Sequence, residues 1–334
     1  MTKFRVKVAV PSVLELRQCK VCNGAKRLPK KRKEVLSGSM SGTISKRTRP
    51  LPEGWVIPGP PAGKNAVEPL QGEELTHLIG HWRIFQRPGC HRWSTDDLVT
   101  AWVAGRAFKN SPPKQCLDLG CGIGTVLMMV AWQFPDCCSR GVEAQFLSAT
   151  MARRSIEFNG CSDRVQVVNC DLRTLSQDTF AGMKFDLITG TPPYFPAEFN
   201  EETGVKLATT TYGGIPACDQ SAPARYELRG GVEAYCEAAS QFLRDESSRF
   251  VVCEGYLSFN HPRVLKGAAD AGLSITKQLN VHGREDKQPL FAVYEMQKKT
   301  SEVEIEVTKI VVRHKGGQRS VDYEKLMADM GIPP

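Results

Sequence analysis

The chain holds 334 residues, 41% of them hydrophobic and 24% charged, with 29 Gly and 21 Pro. These proportions exclude a fibrous repeat and a wholly disordered chain, and the length suits one large α/β domain with appendages or two small domains. No apolar run approaches the roughly 20 residues that span a bilayer, so no membrane segment is expected.

The net charge of +8 is uneven: residues 1–66 carry 15 Lys/Arg against 3 Asp/Glu, and the remainder carries 29 against 33. A basic extension on a nearly neutral body points to a polyanionic partner or a targeting receptor, with a solvated tail as the plain alternative. Lys26 to Lys33 reads KRLPKKRK, a Gly/Ser/Thr stretch covers 37–45, and prolines crowd 50–61. Residues 1–66 are therefore expected to form a flexible basic arm, with Lys26 to Lys33 either an address for an import receptor or a phosphate-binding run. Cys19 and Cys22 have half the spacing of a zinc ribbon. No second C-x-x-C follows, so no metal centre is expected; zinc would need ligands borrowed from Cys90, His91, His77 or His81. Most of the twelve cysteines fall inside apolar patterns, as at Cys116, Cys170 and Cys253, which suits reduced, buried thiols in an intracellular protein. No charged n-region leads into an apolar h-region, so secretion is not expected, and nucleus, cytoplasm and an organelle all stay open.

From about residue 68, apolar residues recur at helical spacing. This predicts a helical cap over 67–113, ahead of a core sheet over 114–298 and a C-terminal strand and helix over 299–334. In the core, a strand over 115–119 ends in the glycine loop 120–124 and passes into a helix over 125–134. A second strand, 139–142, closes on Glu143 and leads into a helix over 144–159 that Asn159-Gly160 ends. The third strand, 164–169, has Asp171 just beyond its tip. The fourth, 185–189, runs into Thr191-Pro192-Pro193-Tyr194. A helix over 231–243, a strand over 249–254, a helix over 262–271 and two strands near 274–281 and 290–296 complete the pattern. Repeated βα units predict an α/β fold: a doubly wound, seven-stranded Rossmann-like sheet with right-handed crossovers.

Asp118-Leu-Gly120-Cys121-Gly122-Ile-Gly124 follows a strand and opens a helix, the context in which glycines let a ligand approach the backbone at a helix N-terminus. The spacing is G-x-G-x-G, not the G-x-G-x-x-G of dinucleotide binders. Glu143 ends the next strand, where a carboxylate can accept both hydroxyls of a ribose. Together these residues read as a nucleoside pocket.

This set resembles motif I and its followers in class I S-adenosylmethionine-dependent methyltransferases, over roughly residues 74–330. The resemblance implies that Asp118 and Gly120, Cys121, Gly122 and Gly124 hold the methionine part of S-adenosylmethionine, that Glu143 takes the ribose, and that Asp171 with Leu172 contacts the adenine. Thr191-Pro192-Pro193-Tyr194 looks like the [DNS]-P-P-[YF] motif of amino-group methyltransferases. There the first side chain and the following carbonyl accept from the target amine, and the aromatic ring stacks on the planar substrate. Position 191 departs from that pattern, being Thr, although a hydroxyl serves where the motif has Ser. Ile84-Phe-Gln86, Trp93-Ser-Thr95-Asp96, Ala224-Arg225-Tyr226-Glu227, Ile310-Val-Val-Arg313 and residues 323–330 narrow the resemblance to the bacterial type that N6-methylates an adenosine in the anticodon loop of valine tRNA. The resemblance implies an RNA partner, tRNA first. Two rivals stay open: a glutamine-amide or guanine-N2 methyltransferase, and a non-catalytic RNA- or ribosome-associated factor that keeps the fold.

Overall fold

The computed structural model describes residues 43–44, 51–63, 65–200, 205–207, 218–256, 260–299 and 304–333. The chain divides into units over 1–39 and 40–334, and all described residues belong to the second. Cys19, Cys22 and Lys26 to Lys33 lie outside the described residues. Among the described residues, no helix is long and apolar enough to cross a membrane and no cluster of His, Cys, Asp or Glu could hold a metal.

Three short strands come first: β1 (Thr43–Ile44), β2 (Glu74–His77) and β3 (Arg83–Gln86). β2 and β3 pair antiparallel, and β1 joins β2 in parallel. The helix α1 (Thr95–Ala107) follows, so residues 67–113 form a hairpin and one helix where helical spacing alone predicts a helical cap. The apolar residues Leu75, Leu78, Ile79, Trp82 and Phe85 fit helical spacing, yet the chain turns back at Gly80, whose φ of 51° suits a tight bend. All five are buried there against the same core.

The main sheet is built from β4 (Gln115–Leu119), α2 (Thr125–Gln133), β5 (Cys138–Val142), α3 (Phe146–Phe158), β6 (Val165–Val168) and β7 (Leu187–Gly190). A small antiparallel pair, β8 (Glu198–Asn200) with β9 (Val205–Leu207), and the short α4 (Ser221–Arg225) intervene. The chain then returns to the sheet through α5 (Val232–Phe242), β10 (Arg249–Gly255), α6 (Asn260–Asp270), β11 (Leu273–Arg284), β12 (Phe291–Lys298), β13 (Glu306–Arg313) and α7 (Val321–Asp329). The strand order is β13-β11-β12-β10-β7-β4-β5-β6. β10, β7, β4, β5 and β6 run parallel, whereas β12 is antiparallel to both β10 and β11.

The sheet has eight strands, not the seven predicted. β11 is 12 residues long, and without a partner on its outer side it would leave its N–H and C=O groups unpaired; β13 covers that edge from Glu306 opposite Lys277 to Arg313 opposite Arg284. Helices lie on both faces. Buried apolar residues of α1, α2, α3 and α7 form one core cluster with the strands, and those of α5 and α6 form the other. β4 lies between β5 and β7, so the chain leaves β4 toward one side and later returns to the other. The crevice beyond the tip of β4 is the topological switch point where ligands sit in such sheets.

Asn159, at the end of α3, holds the hairpin to the sheet. Its Oδ1 accepts the Arg83 N–H at 2.9 Å and its Nδ2 donates to the Arg83 carbonyl at 2.7 Å, so one buried side chain completes both backbone groups of a β3 residue. Beside it, Ser155 Oγ accepts the Phe85 N–H at 3.0 Å. Replacing Asn159 by Ala removes the partner of both groups, and the expected loss is about 2–6 kcal/mol, at roughly 1–3 kcal/mol for each unsatisfied group. Thermal or denaturant unfolding of Asn159→Ala measures it, and an unchanged midpoint refutes the assignment.

Candidate active site

One cavity of about 320 Å³ opens beyond the tips of β4, β5 and β7. The glycine loop forms its floor. Gly120, Gly122 and Gly124 all have positive φ, at 63°, 56° and 88°, which strands and helices of L-residues rarely reach. The reasons differ along the loop. A Cβ at position 120 would run into the hydroxyl of Tyr235 from α5, whereas a Cβ at 122 would meet nothing within 4 Å. Gly124 caps α2, and the loop is tightened by the Gly124 N–H donating to the Cys121 carbonyl at 2.8 Å.

The cavity is lined by Gly120, Cys121, Gly122, Glu143, Asp171, Leu172, Thr191, Pro192, Pro193 and Tyr194, so it gathers ten of the twelve residues singled out from the sequence. Asp118 and Gly124 do not line it. Asp118 is buried below the loop, where Oδ2 accepts the Leu127 N–H at 3.0 Å and Oδ1 accepts the Thr189 hydroxyl at 2.8 Å. It ties β4 to α2 and β7 instead of reaching the cavity, and Gly124 serves the helix start.

Glu143 lies at the tip of β5, nearly buried, and each carboxylate oxygen accepts one backbone N–H: Oε2 from Gly122 at 2.9 Å and Oε1 from Gln145 at 2.6 Å. Burial raises its pKa, against the pull of these two bonds and of the Arg229 guanidinium. Asp171 behaves differently. Its oxygens already take the Arg173 N–H at 3.0 Å, Nε at 3.0 Å and Nη2 at 2.7 Å, and these bonds hold its pKa below the ordinary range despite partial burial.

On the opposite wall, Thr191, Pro192, Pro193 and Tyr194 leave β7 and continue into Phe195, which bridges to the segment before α5. The Phe195 N–H donates to the Arg225 carbonyl at 3.0 Å, and the Glu227 N–H donates back to the Phe195 carbonyl at 2.9 Å. This brings Ala224-Arg225-Tyr226-Glu227 beside the diproline turn, with the Arg225 guanidinium over the Phe195 ring at 5.6 Å. The Tyr194 hydroxyl donates to Asp96 Oδ2 at 2.7 Å and lies 2.9 Å from Cys253 Sγ. Burial and the Asp96 carboxylate push its pKa well up. Ser94 caps α1 and its N–H donates to Asp97 at 2.9 Å, so Trp93-Ser-Thr95-Asp96 both begins a helix and faces the cavity.

Several lining residues were not legible as such. Arg229 lines the cavity, interacts electrostatically with Glu143 and Asp171, and makes no hydrogen bond or ion pair with any described residue. Its only sequence signal is the Gly230-Gly231 pair that follows, with φ of 103° at Gly230. His91 also lines the cavity, and burial lowers its pKa against the raising effect of Asp96. The cysteines depart from expectation too. Cys116, Cys121, Cys137, Cys161, Cys236 and Cys253 are buried and free, Cys138 and Cys170 are free and partly exposed, but Cys90 and Cys218 form a disulfide. Their Cα atoms stand 5.5 Å apart because the segments before α1 and α4 converge beside the cavity, which their neighbours His91 and Pro223 line, and a disulfide spans that separation.

Burial raises the Asp118 carboxyl to about 7, from an ordinary value near 3.8. A raised folded-state value favours the protonated form, so this group's stabilising contribution is full below about pH 4 and is lost as pH rises through 7. Relative to Asp118→Asn, wild type should lose stability from pH 4 to 7. Denaturant unfolding of both proteins across that range tests this, and a pH-independent difference refutes it.

The family model of the methyltransferase small domain matches residues 81–208, a stretch that holds the glycine loop, Glu143, Asp171 and the diproline turn. The chain is 32% identical over 114 residues to a tRNA1(Val) (adenine(37)-N6)-methyltransferase of Porphyromonas gingivalis, covering 34% of this chain and 45% of that protein. It is 24% identical over 214 residues to the protein of that name from Histophilus somni, covering 64% and 80%. A release factor glutamine methyltransferase of Caulobacter vibrioides is 26% identical over 227 residues, covering 64% and 72%. The chain spans less than half the length of the first of these relatives. The glycine loop, acidic strand tip and diproline turn around one cavity all fall within the region 81–208 that matches the model of the methyltransferase small domain.

Proposed function

We propose that the chain is an S-adenosylmethionine-dependent methyltransferase that modifies an exocyclic amine, with adenine N6 in tRNA as the acceptor. The observation that carries this reading is a single cavity lined on one wall by Gly120, Gly122 and Glu143 and on the other by Thr191, Pro192, Pro193 and Tyr194.

The first wall fits the cofactor. Gly122 leaves open space where a side chain would stand. Each Glu143 carboxylate oxygen accepts one backbone N–H, from Gly122 and from Gln145, so lone pairs stay available to the two hydroxyls of a ribose. Arg229, with its donors unused among the described residues, offers a planar cation to an adenine ring beside Asp171 and Leu172. When bound, the cofactor supplies an electrophilic methyl group on a sulfonium.

The second wall fits an amine. The Thr191 hydroxyl makes no hydrogen bond with any described residue and lines the cavity, so it can accept from an N–H together with the Pro192 carbonyl. The prolines fix two φ angles and lower the entropy of holding that geometry. Asp96 fixes the Tyr194 hydroxyl, which sets the ring plane for stacking on a base. An amine aligned in this way loses its proton after the new N–C bond forms. The relatives named for tRNA adenine-N6 methylation favour adenine, and the basic run before residue 66 supplies cations for a polyanion. The relative named for glutamine methylation favours a second reading, transfer to a protein amide through the same wall.

Titration calorimetry with S-adenosylmethionine, followed by transfer of labelled methyl to tRNA transcripts and to release-factor protein, decides between these acceptors. Cofactor binding without transfer to either would leave a binding factor. Glu143→Gln is expected to weaken cofactor binding about tenfold, since a hydrogen bond to a charged group is worth about 1.5–3 kcal/mol. Thr191→Val is expected to leave cofactor affinity within about twofold and lower single-turnover transfer by about 10²-fold, as loss of an oriented hydrogen bond does elsewhere. Equal effects of both changes on cofactor affinity would overturn the division of roles.

A further inference from the structure

We propose that Cys90 and Cys218 form a thiol–disulfide exchange site that regulates admission of the acceptor to the cavity, the disulfide closing the mouth and its reduction opening it. The inference rests on reading that cavity as the site of methyl transfer. Cys90 belongs to the segment between β3 and α1, which contributes His91 and Ser94 to the lining; Cys218 precedes α4 and the lining residues Pro223 and Arg225. The bond joins positions 128 residues apart and bridges the two segments that flank the diproline turn, 87–96 and 218–226, termed the side walls.

Each wall is anchored by its own bonds. The Trp93 N–H donates to buried Gln86 Oε1 at 2.9 Å, and the Cys90 N–H to the Arg87 carbonyl at 3.1 Å. On the other side, Gln220 Nε2 donates to Ser148 Oγ at 3.1 Å, and the Ser221 N–H to the Cys218 carbonyl at 2.9 Å. Among the described residues no hydrogen bond or ion pair joins segment 87–96 directly to segment 218–226; both also meet the diproline turn, Asp96 through the Tyr194 hydroxyl and Arg225 through the Phe195 N–H, and the sulfurs are the direct tie between them. A cofactor-sized molecule needs only the cavity itself. A base carried on a nucleic-acid backbone must pass between the walls, and a covalent link at fixed length prevents them from parting.

Both cysteines are partly exposed, so a dithiol reductant can reach the bond. A thiolate of the reductant attacks one sulfur, the other leaves as a thiolate, and the reductant's second thiol resolves the mixed disulfide. Two electrons and two protons pass from the dithiol, which becomes a disulfide, to Cys90 and Cys218, which become thiols.

The test uses the full chain, oxidised with diamide or reduced with dithiothreitol. Peptide mapping after iodoacetamide should find Cys90 joined to Cys218 in the first form and both alkylated in the second. Affinity for S-adenosylmethionine should agree within about twofold between forms, while transfer to a valine-tRNA transcript should rise about tenfold on reduction. Cys90→Ser and Cys218→Ser should each hold the fast state with or without reductant. Hydrogen exchange over 87–96 and 218–226 should be faster in the reduced form. Alkylation of both cysteines after diamide, equal exchange in the two forms, or transfer that is equal or slower on reduction overturns the proposal. If the transcript accepts no methyl in either form, the tRNA reading falls, and the exchange rates alone decide whether the clasp exists.

Discussion

A carboxylate withdrawn from water must be met by donors, and in this molecule that requirement shapes the cavity at two strand tips. At β4, Asp118 is satisfied entirely from within, by the first turn of α2 and by Thr189 of β7. Its burial locks the two strands that flank the switch point and sets where the glycine loop begins. At β5, Glu143 takes one N–H from that loop and one from the start of α3, which holds the loop open and leaves acceptor capacity directed at the cavity. The two acids have the same chemistry and opposite destinations. Each accepts one hydrogen bond per oxygen; what separates them is that Asp118 is sealed below the loop whereas Glu143 lines the cavity.

Much of the sheet was legible because each βα unit announces itself by an apolar strand, a polar or glycine tip and a helix of fitting length. The strands over β4, β5, β6, β7 and β10, and the helices between them, stand close to where the sequence puts them. The region 67–113 was harder. Its apolar residues satisfy the spacing of a helix and of a short hairpin alike, and the turn at Gly80 is decided by packing against α3 through Asn159 and Ser155, contacts more than 69 residues distant in the chain. The C-terminal strand expected within 299–334 is β13, but its place in the main sheet as an eighth strand was hidden for a related reason. EVTKIVVR is exposed along most of its length, so it carries little of the apolar signal that marks the central strands.

The candidate site was legible wherever a motif sits at a strand tip, and obscure where residues arrive from loops distant in sequence. Arg229, His91 and the Cys90–Cys218 pair are brought to the cavity by the segments before α5, α1 and α4, and nothing in local spacing tells which loops converge. Asp171 illustrates a different limit. Its position beyond β6 was readable, but its capture by Arg173 two residues on was not, because that pairing depends on the 3-10 turn that folds the arginine back.

The position of β13 has a consequence for biogenesis. β11 and β12 emerge from the ribosome and can zip together before β13 is made, and during that interval the outer side of β11 is a long, unpaired strand edge. Such an edge is a template for pairing with another nascent chain.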